Sequence, residues 1–170
     1  MKAQIRIIAL ALLLTGISIS TFAQVSATAN ASATIVTPIA ISKTVDMNFG
    51  NVAVSATAGT VVLTPAGSRS LTGGVTLPTI AGTVAAASFN VTGANNYTYT
   101  ITLPSTALTI TSGANTMSVN SFTSNPATTG TLSATGSQTL NVGATLNVSA
   151  SQAAGSYTSV TPFTVTVNYN

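Results

Sequence analysis

Beyond residue 24 the chain is dominated by one pattern, apolar and polar residues alternating with a period of two. Successive strand side chains point to opposite faces, so this period predicts half-buried β-strands. The sharpest case is Phe163-Thr-Val-Thr-Val-Asn-Tyr-Asn170. Phe163, Val165, Val167 and Tyr169 share one parity, and Thr164, Thr166, Asn168 and Asn170 share the other. This is expected to be a strand that pairs with one formed earlier and around which a sandwich closes. Tyr97-Thr-Tyr-Thr-Ile-Thr-Leu103 is the clearest internal strand, with Tyr97, Tyr99, Ile101 and Leu103 on its apolar face. Gln138 to Ser149 places Leu140, Val142, Ala144, Leu146 and Val148 on one parity, with Gly143 as a candidate bulge.

Shorter strands are expected at 39–44, 45–49, 59–64, 68–71, 75–77, 84–91, 108–111, 116–122 and 157–160. Gly50-Asn51, Pro65 to Gly67, Gly93 to Asn96, Ser112 to Asn115 and Ser151 to Gly155 separate them, and Gly73-Gly74 reads as a tight hairpin or a bulge. Turn signals recur roughly every 8–12 residues and no segment beyond residue 24 has helical periodicity, the signature of an antiparallel β-sandwich or barrel.

Val25-Ser-Ala-Thr-Ala-Asn-Ala-Ser-Ala-Thr-Ile35 alternates without a break. Val25, Ala27, Ala29, Ala31, Ala33 and Ile35 face one way, most of them as bare methyl groups suited to a shallow groove. Pro38 then interrupts, lacking the N–H a ladder needs and disfavouring helix at Thr37. Thr37-Pro38 therefore reads as a joint between this segment and the body.

Residues 1–23 have a different purpose. Lys2 and Arg6 precede an apolar run from Ile7 to Ile19, followed by Thr21-Phe-Ala23, a small-x-small site before Gln24. That is the layout of a cleaved signal peptide. The run is too short for the ~20 residues of a membrane-spanning helix, so no integral anchor is expected. The expected organisation is a signal peptide at 1–23, an extension or first strand at 24–37, and a sandwich at 38–170. The expected location is outside the inner membrane: periplasmic, cell-surface or extracellular.

Composition narrows the chemistry. Only 3% of the 170 residues are charged, against about 25% in ordinary domains. After residue 23 there remain Lys43, Arg69 and Asp46, a net charge of +1. This is no electrostatic footprint for nucleic acid. With no His, no Cys and a single acid, neither a catalytic triad nor a carboxylate pair can be assembled. Zinc lacks its usual ligands, and calcium would have one carboxylate. No enzyme activity, cofactor or metal is expected. Asp46-Met-Asn-Phe-Gly50 reads as a strand-to-turn lock, with Asp46 paired to Lys43, Phe49 in the core and Gly50 turning.

Two features point towards binding. Thr98, Thr100 and Thr102, with Thr164 and Thr166, form hydroxyl rows spaced ~6.8 Å along a strand, which suit ice or glycan, although a twisted sheet is a poor flat template. Second, soluble β-proteins guard edge strands with charge or Pro, and three charged side chains cannot guard every edge. Val25 to Ile35 is then either a strand donated to a neighbouring subunit or an ordinary first strand of its own domain.

Ala-Thr-Ile-Val-Thr-Pro-Ile-Ala-Ile (33–41), Asp-Met-Asn-Phe-Gly (46–50), Ala-Gly-Ser-Tyr (154–157) and Val-Thr-Val-Asn-Tyr (165–169) resemble the bacterial domain-of-unknown-function family 4402. The Gly-x-Tyr and the alternating terminal strand are also similar to spore-coat-U-like and chaperone–usher pilin domains. That resemblance implies an immunoglobulin-like sandwich and fimbrial or surface-layer subunits joined by donated strands. The chain lacks the cysteines common in such pilins, and the expected strands leave no obvious vacancy for another.

The leading expectation is an exported, non-enzymatic subunit of a fimbria-like filament or surface coat, self-associating or bound to other surface proteins. Val25 to Ile35 would be the donor. Phe163, Val165, Val167 and Tyr169 would border the acceptor groove or close the sandwich. The alternative is a monomeric secreted module that binds ice or glycan through a threonine face.

Overall fold

A computed structural model describes residues 24–170; the expected signal peptide lies outside them. The chain divides into two units, one ending at Thr34 and the other covering Ile35–Asn170. In the first, residues 24–34 form no strand and are exposed throughout. The alternation there does not become an intramolecular strand, one of the two outcomes that the pattern left open. A strand is held by its ladder partner and by what its apolar face buries, and a row of alanine methyls buries little.

The second unit is all β among the described residues. The strands are β1 (Ala40–Val45), β2 (Asn48–Phe49), β3 (Ala53–Leu63), β4 (Arg69–Thr76), β5 (Val84–Ala85), β6 (Ala87–Thr92), β7 (Thr98–Thr102), β8 (Leu108–Ser112), β9 (Asn115–Asn125), β10 (Thr129–Thr131), β11 (Ser137–Val148), β12 (Thr158–Ser159) and β13 (Thr166–Tyr169). All pairings are antiparallel. A large sheet runs β1-β6-β11-β9-β8-β12, with β3 and β4 joining through β11, and a small sheet runs β10-β7-β13. The antiparallel β architecture expected from the pattern, and the sandwich implied by the resemblance, are thus realised as curled antiparallel sheets.

β11 organises the large sheet. Its first half pairs with β6, its second half pairs with β3, and β9 runs along its other side. Leu140, Val142, Ala144, Leu146 and Val148 are all buried, as their shared parity demands. The change of partner falls at Gly143, where a Cβ would collide with the Leu63 carbonyl and crowd Thr64 and Pro65. A register shift does occur here, but the surplus residue lies on β9. Gly143 faces Thr123 and Thr145 faces Asn120, so two residues of β9, Ser121 and Phe122, oppose Ala144. Ser121 takes φ 51°. The bulge lets Met117, Val119 and Phe122 all contribute to the core despite their mixed parity.

Gly73-Gly74 is a bulge and not a hairpin turn: β4 runs straight through it. Val54 pairs with Val75 and Gly59 with Gly73, so residues 55–58 of β3 bow out opposite Gly74. The expected strands at 45–49 and 84–91 take in β2 and β5, although β5 is a separate strand from β6, and the pattern missed only β10, because a three-residue strand has no period to read.

The core has two parts. One lies between the sheets: Ala87, Val91, Tyr99, Leu132, Leu140, Val142, Val165 and Val167. The other rests on the far half of the large sheet: Val61, Val75, Val119, Ala144, Leu146 and Val148. Strands of the small sheet contribute only to the first. Over the second lie residues such as Met47, Phe49 and Val52 from the β1–β3 connection.

Candidate functional site

The Asp46–Gly50 stretch behaves as a lock. Lys43 Nζ lies 2.7 Å from Asp46 Oδ1 in an exposed pair, which contributes little stability in water. Phe49 packs on the second core. Gly50 turns with φ 69°, and its amide donates to Asn48 Oδ1 at 2.8 Å. Arg69 reaches over from β4 and donates to the Phe49 carbonyl at 2.7 Å and the Asn51 carbonyl at 3.0 Å. All three charged side chains of the described residues therefore have local structural partners. No group of three or more His, Cys, Asp or Glu side chains capable of holding a metal occurs among them.

β13 sits at the margin of the small sheet. Thr166, Val167, Asn168 and Tyr169 oppose Thr102, Ile101, Thr100 and Tyr99 of β7. The Asn170 amide donates to the Thr98 carbonyl at 3.3 Å. Antiparallel ladders alternate bonded and non-bonded pairs, so Asn168 and Thr166 share the phase of Asn170. The backbone amides and carbonyls of Val167 and Tyr169 accordingly point away from β7. No strand pairs with that side of β13 among the described residues. The side chains of Val165 and Val167 are buried, so this edge combines free ladder groups with an apolar inner face.

The other two expected acceptor residues mark the ends of that edge. At one, the Tyr169 hydroxyl accepts from the Ala94 amide at 2.6 Å and donates to the Thr37 carbonyl at 2.7 Å. It clasps the chain just before β1. At the other, Phe163 packs against Phe122 and Phe89 with ring centroids 5.1 and 6.3 Å away. The edge strand β1 of the large sheet also comes close to β13.

Phe163 is also on the wall of a groove of about 970 Å³ over the second core. Leu108, Ile110, Met117 and Val119 lie along it, with Met47 and Phe89 beside them. Residues 152–159 run along one side with small side chains at Ala153, Ala154, Gly155 and Ser156. This strap is held by Tyr157, whose hydroxyl donates to the Ala153 carbonyl at 2.7 Å and accepts from Gln152 Nε2 at 2.8 Å. The groove was not legible in the sequence, because its lining residues come from strands that each read simply as core.

The model of the family described as domain of unknown function (DUF4402) matches residues 39–169. The chain belongs to this family. No curated protein and no solved structure matches it. The DUF4402 match begins just after Thr37-Pro38, so Val25 to Ile35 precede the family domain. Those residues lie outside every described strand, with Val25 92% and Ile35 97% exposed. No helix among the described residues is long and apolar enough to cross a membrane.

The threonines of the small sheet form a separate surface. Thr98, Thr100, Thr102, Thr129, Thr131 and Thr166 are all exposed. Thr100 faces Thr129 on one side and Asn168 on the other, and Thr98 faces Thr131. The rows predicted along single strands thus continue across three.

Proposed function

We propose that this DUF4402 protein is an exported, non-enzymatic structural subunit that assembles with copies of itself by strand donation. Val25 to Ile35 is the donated strand, and the free edge of β13 is where it pairs. The observation that carries this reading is the match between two unpaired elements. One is an uncharged, alternating, exposed segment; the other is an edge whose amides and carbonyls face outward beside buried Val165 and Val167. Main-chain bonds would supply affinity and the alternate side chains specificity. Export is supported by the leader-like layout of residues 1–23, and the absence of catalytic function by the composition.

The test uses parity. Ala27→Asp with Ala31→Asp places charge on the inward-facing set, whereas Thr28→Asp with Ser32→Asp adds the same charge on the other face. Size-exclusion chromatography and negative-stain microscopy are expected to show filaments or multimers for the parent and the Thr28/Ser32 variant, and monomers for the Ala27/Ala31 variant. Identical behaviour of the two variants, or a parent that stays monomeric, would refute strand donation.

A second reading rests on the threonine face. Seven exposed positions, Thr98, Thr100, Thr102, Thr129, Thr131, Thr166 and Asn168, present hydroxyls and one amide on three neighbouring strands. Such a face suits ice or a glycan. Thr100→Lys would abolish retention on a polysaccharide column or ice-growth inhibition under this reading, and would leave assembly untouched.

A further inference from the structure

We infer that the groove over the second core is the anchor site for Ile35 of a second copy of this chain. The inference rests on the strand-donation reading and adds where the far end of the donated strand goes. Three observations lead to it.

The first is length. The eleven residues from Val25 to Ile35 span about 36 Å when extended at ~3.3 Å each. β13 together with the three residues that lead into it from Phe163 offers seven residues, or at most about 23 Å on the same rise. About four residues of the donor must therefore run beyond Phe163, and Phe163 is where the groove begins.

The second is direction. Every described ladder is antiparallel. A donor laid on β13 in that sense starts beside Tyr169 and leaves past Phe163 with its C-terminal end. Ala33 and Ile35 then carry the inward parity over the groove, and Ile35 is the one large side chain of the projecting part.

The third is chemistry. The groove presents Leu108, Ile110, Met117, Met47 and Phe89, and its strap adds mainly small side chains, so the volume of about 970 Å³ is left for a guest. Its charged members, Lys43 and Asp46, neutralise each other. The donor carries no charge. An uncharged aliphatic side chain on an extended backbone fits both; a charged or polar partner does not.

The experiment uses the full chain with its own donor silenced by Ala27→Asp and Ala31→Asp, labelled at methionine methyls. Two of its three methionines, Met47 and Met117, line the groove, and the third is Met1. A peptide of residues 24–37 is titrated in, with affinity read by fluorescence anisotropy and the groove read by the methyl resonances. Expected are saturable shifts of both Met47 and Met117 and a loss of about 30-fold in affinity for the Ile35→Ala peptide, the worth of one buried aliphatic side chain. The Val25→Ala peptide should lose much less. Ala154→Trp, which fills the groove from its exposed strap, should erase the Ile35 dependence without lowering Tm.

A peptide that binds while both methyls stay still, or that depends on Val25 in place of Ile35, overturns the groove assignment and leaves strand donation standing. A peptide that does not bind at all overturns both.

Discussion

Tyr169→Phe isolates the clasp that joins the end of the chain to its entry into β1. The ring would remain, with its edge-to-face contact to Tyr97 at 5.5 Å, so packing is held constant. Two hydrogen bonds are lost, one from the Ala94 amide and one to the Thr37 carbonyl. Each is worth about 1 kcal/mol net, and both groups are close enough to the surface for water to recover part of the cost. The expected loss is thus about 2 kcal/mol, read as a lower urea midpoint with an unchanged m-value. For a domain of this size that corresponds to a fall in Tm of roughly 4–8 °C. Amide exchange at Ala94 should accelerate as well, because its acceptor is gone. A change below about 0.5 kcal/mol, the scale of an ordinary surface substitution, would show that water serves these groups equally well. The reasoning that the end of the chain is tied to the stretch just before β1 would then fail.

Two further outcomes follow from the packing. Gly143→Ala should cost about 3 kcal/mol in urea denaturation, because the new methyl meets the Leu63 carbonyl and the backbone of Thr64 and Pro65. Gly67→Ala, at φ 82° with open space around it, should cost only about 1 kcal/mol of backbone preference; equal losses would refute the steric account. Burial pushes the Tyr99 hydroxyl above the usual 10.0. The folded state therefore holds this proton more tightly than the unfolded state, and the stability concerned is fully present below pH 10 and lost as pH rises through the elevated value. Urea midpoints from pH 8 to 11.5 should fall less steeply for Tyr99→Phe than for the parent, and parallel profiles would contradict this.

Much of this fold could be read from parity, because parity is what burial acts on. The buried sets of β7, β11 and β13 all fall on the predicted faces. The Lys43–Asp46 pair and the Gly50 turn were also legible, since a lone acid three residues from a lone base in a strand-to-turn stretch has few partners. What failed has physical reasons. The bulge on β9 was hidden because Ser121 is no glycine, and nothing in its neighbours announces a residue at positive φ. Phe163 shares its parity with Val165, yet it lies outside β13 and serves the core through two aromatic contacts. For Val25 to Ile35 the sequence left open a donated strand or a first strand of its own domain, because alternation specifies a face and not what will cover it.

Edge protection weighs on the same question from a different side. An open sheet edge recruits other strands unless charge, proline or a bulge blunts it. Among the described residues the available charges are engaged elsewhere. Lys43 is paired with Asp46 at the end of β1, and Arg69 is turned towards the carbonyls of Phe49 and Asn51. β4, the margin beyond β3, faces the bowed residues 55–58 of that strand, and β12 is only two residues long, which limits what those margins can recruit. β13 has no such device: there is no charge and no proline from Thr164 to Asn170, and the register with β7 is uninterrupted from Thr166 to Tyr169. A protein kept monomeric would guard that edge first. Leaving it bare while carrying an uncharged alternating segment ahead of the domain is the combination expected when the edge exists to be paired.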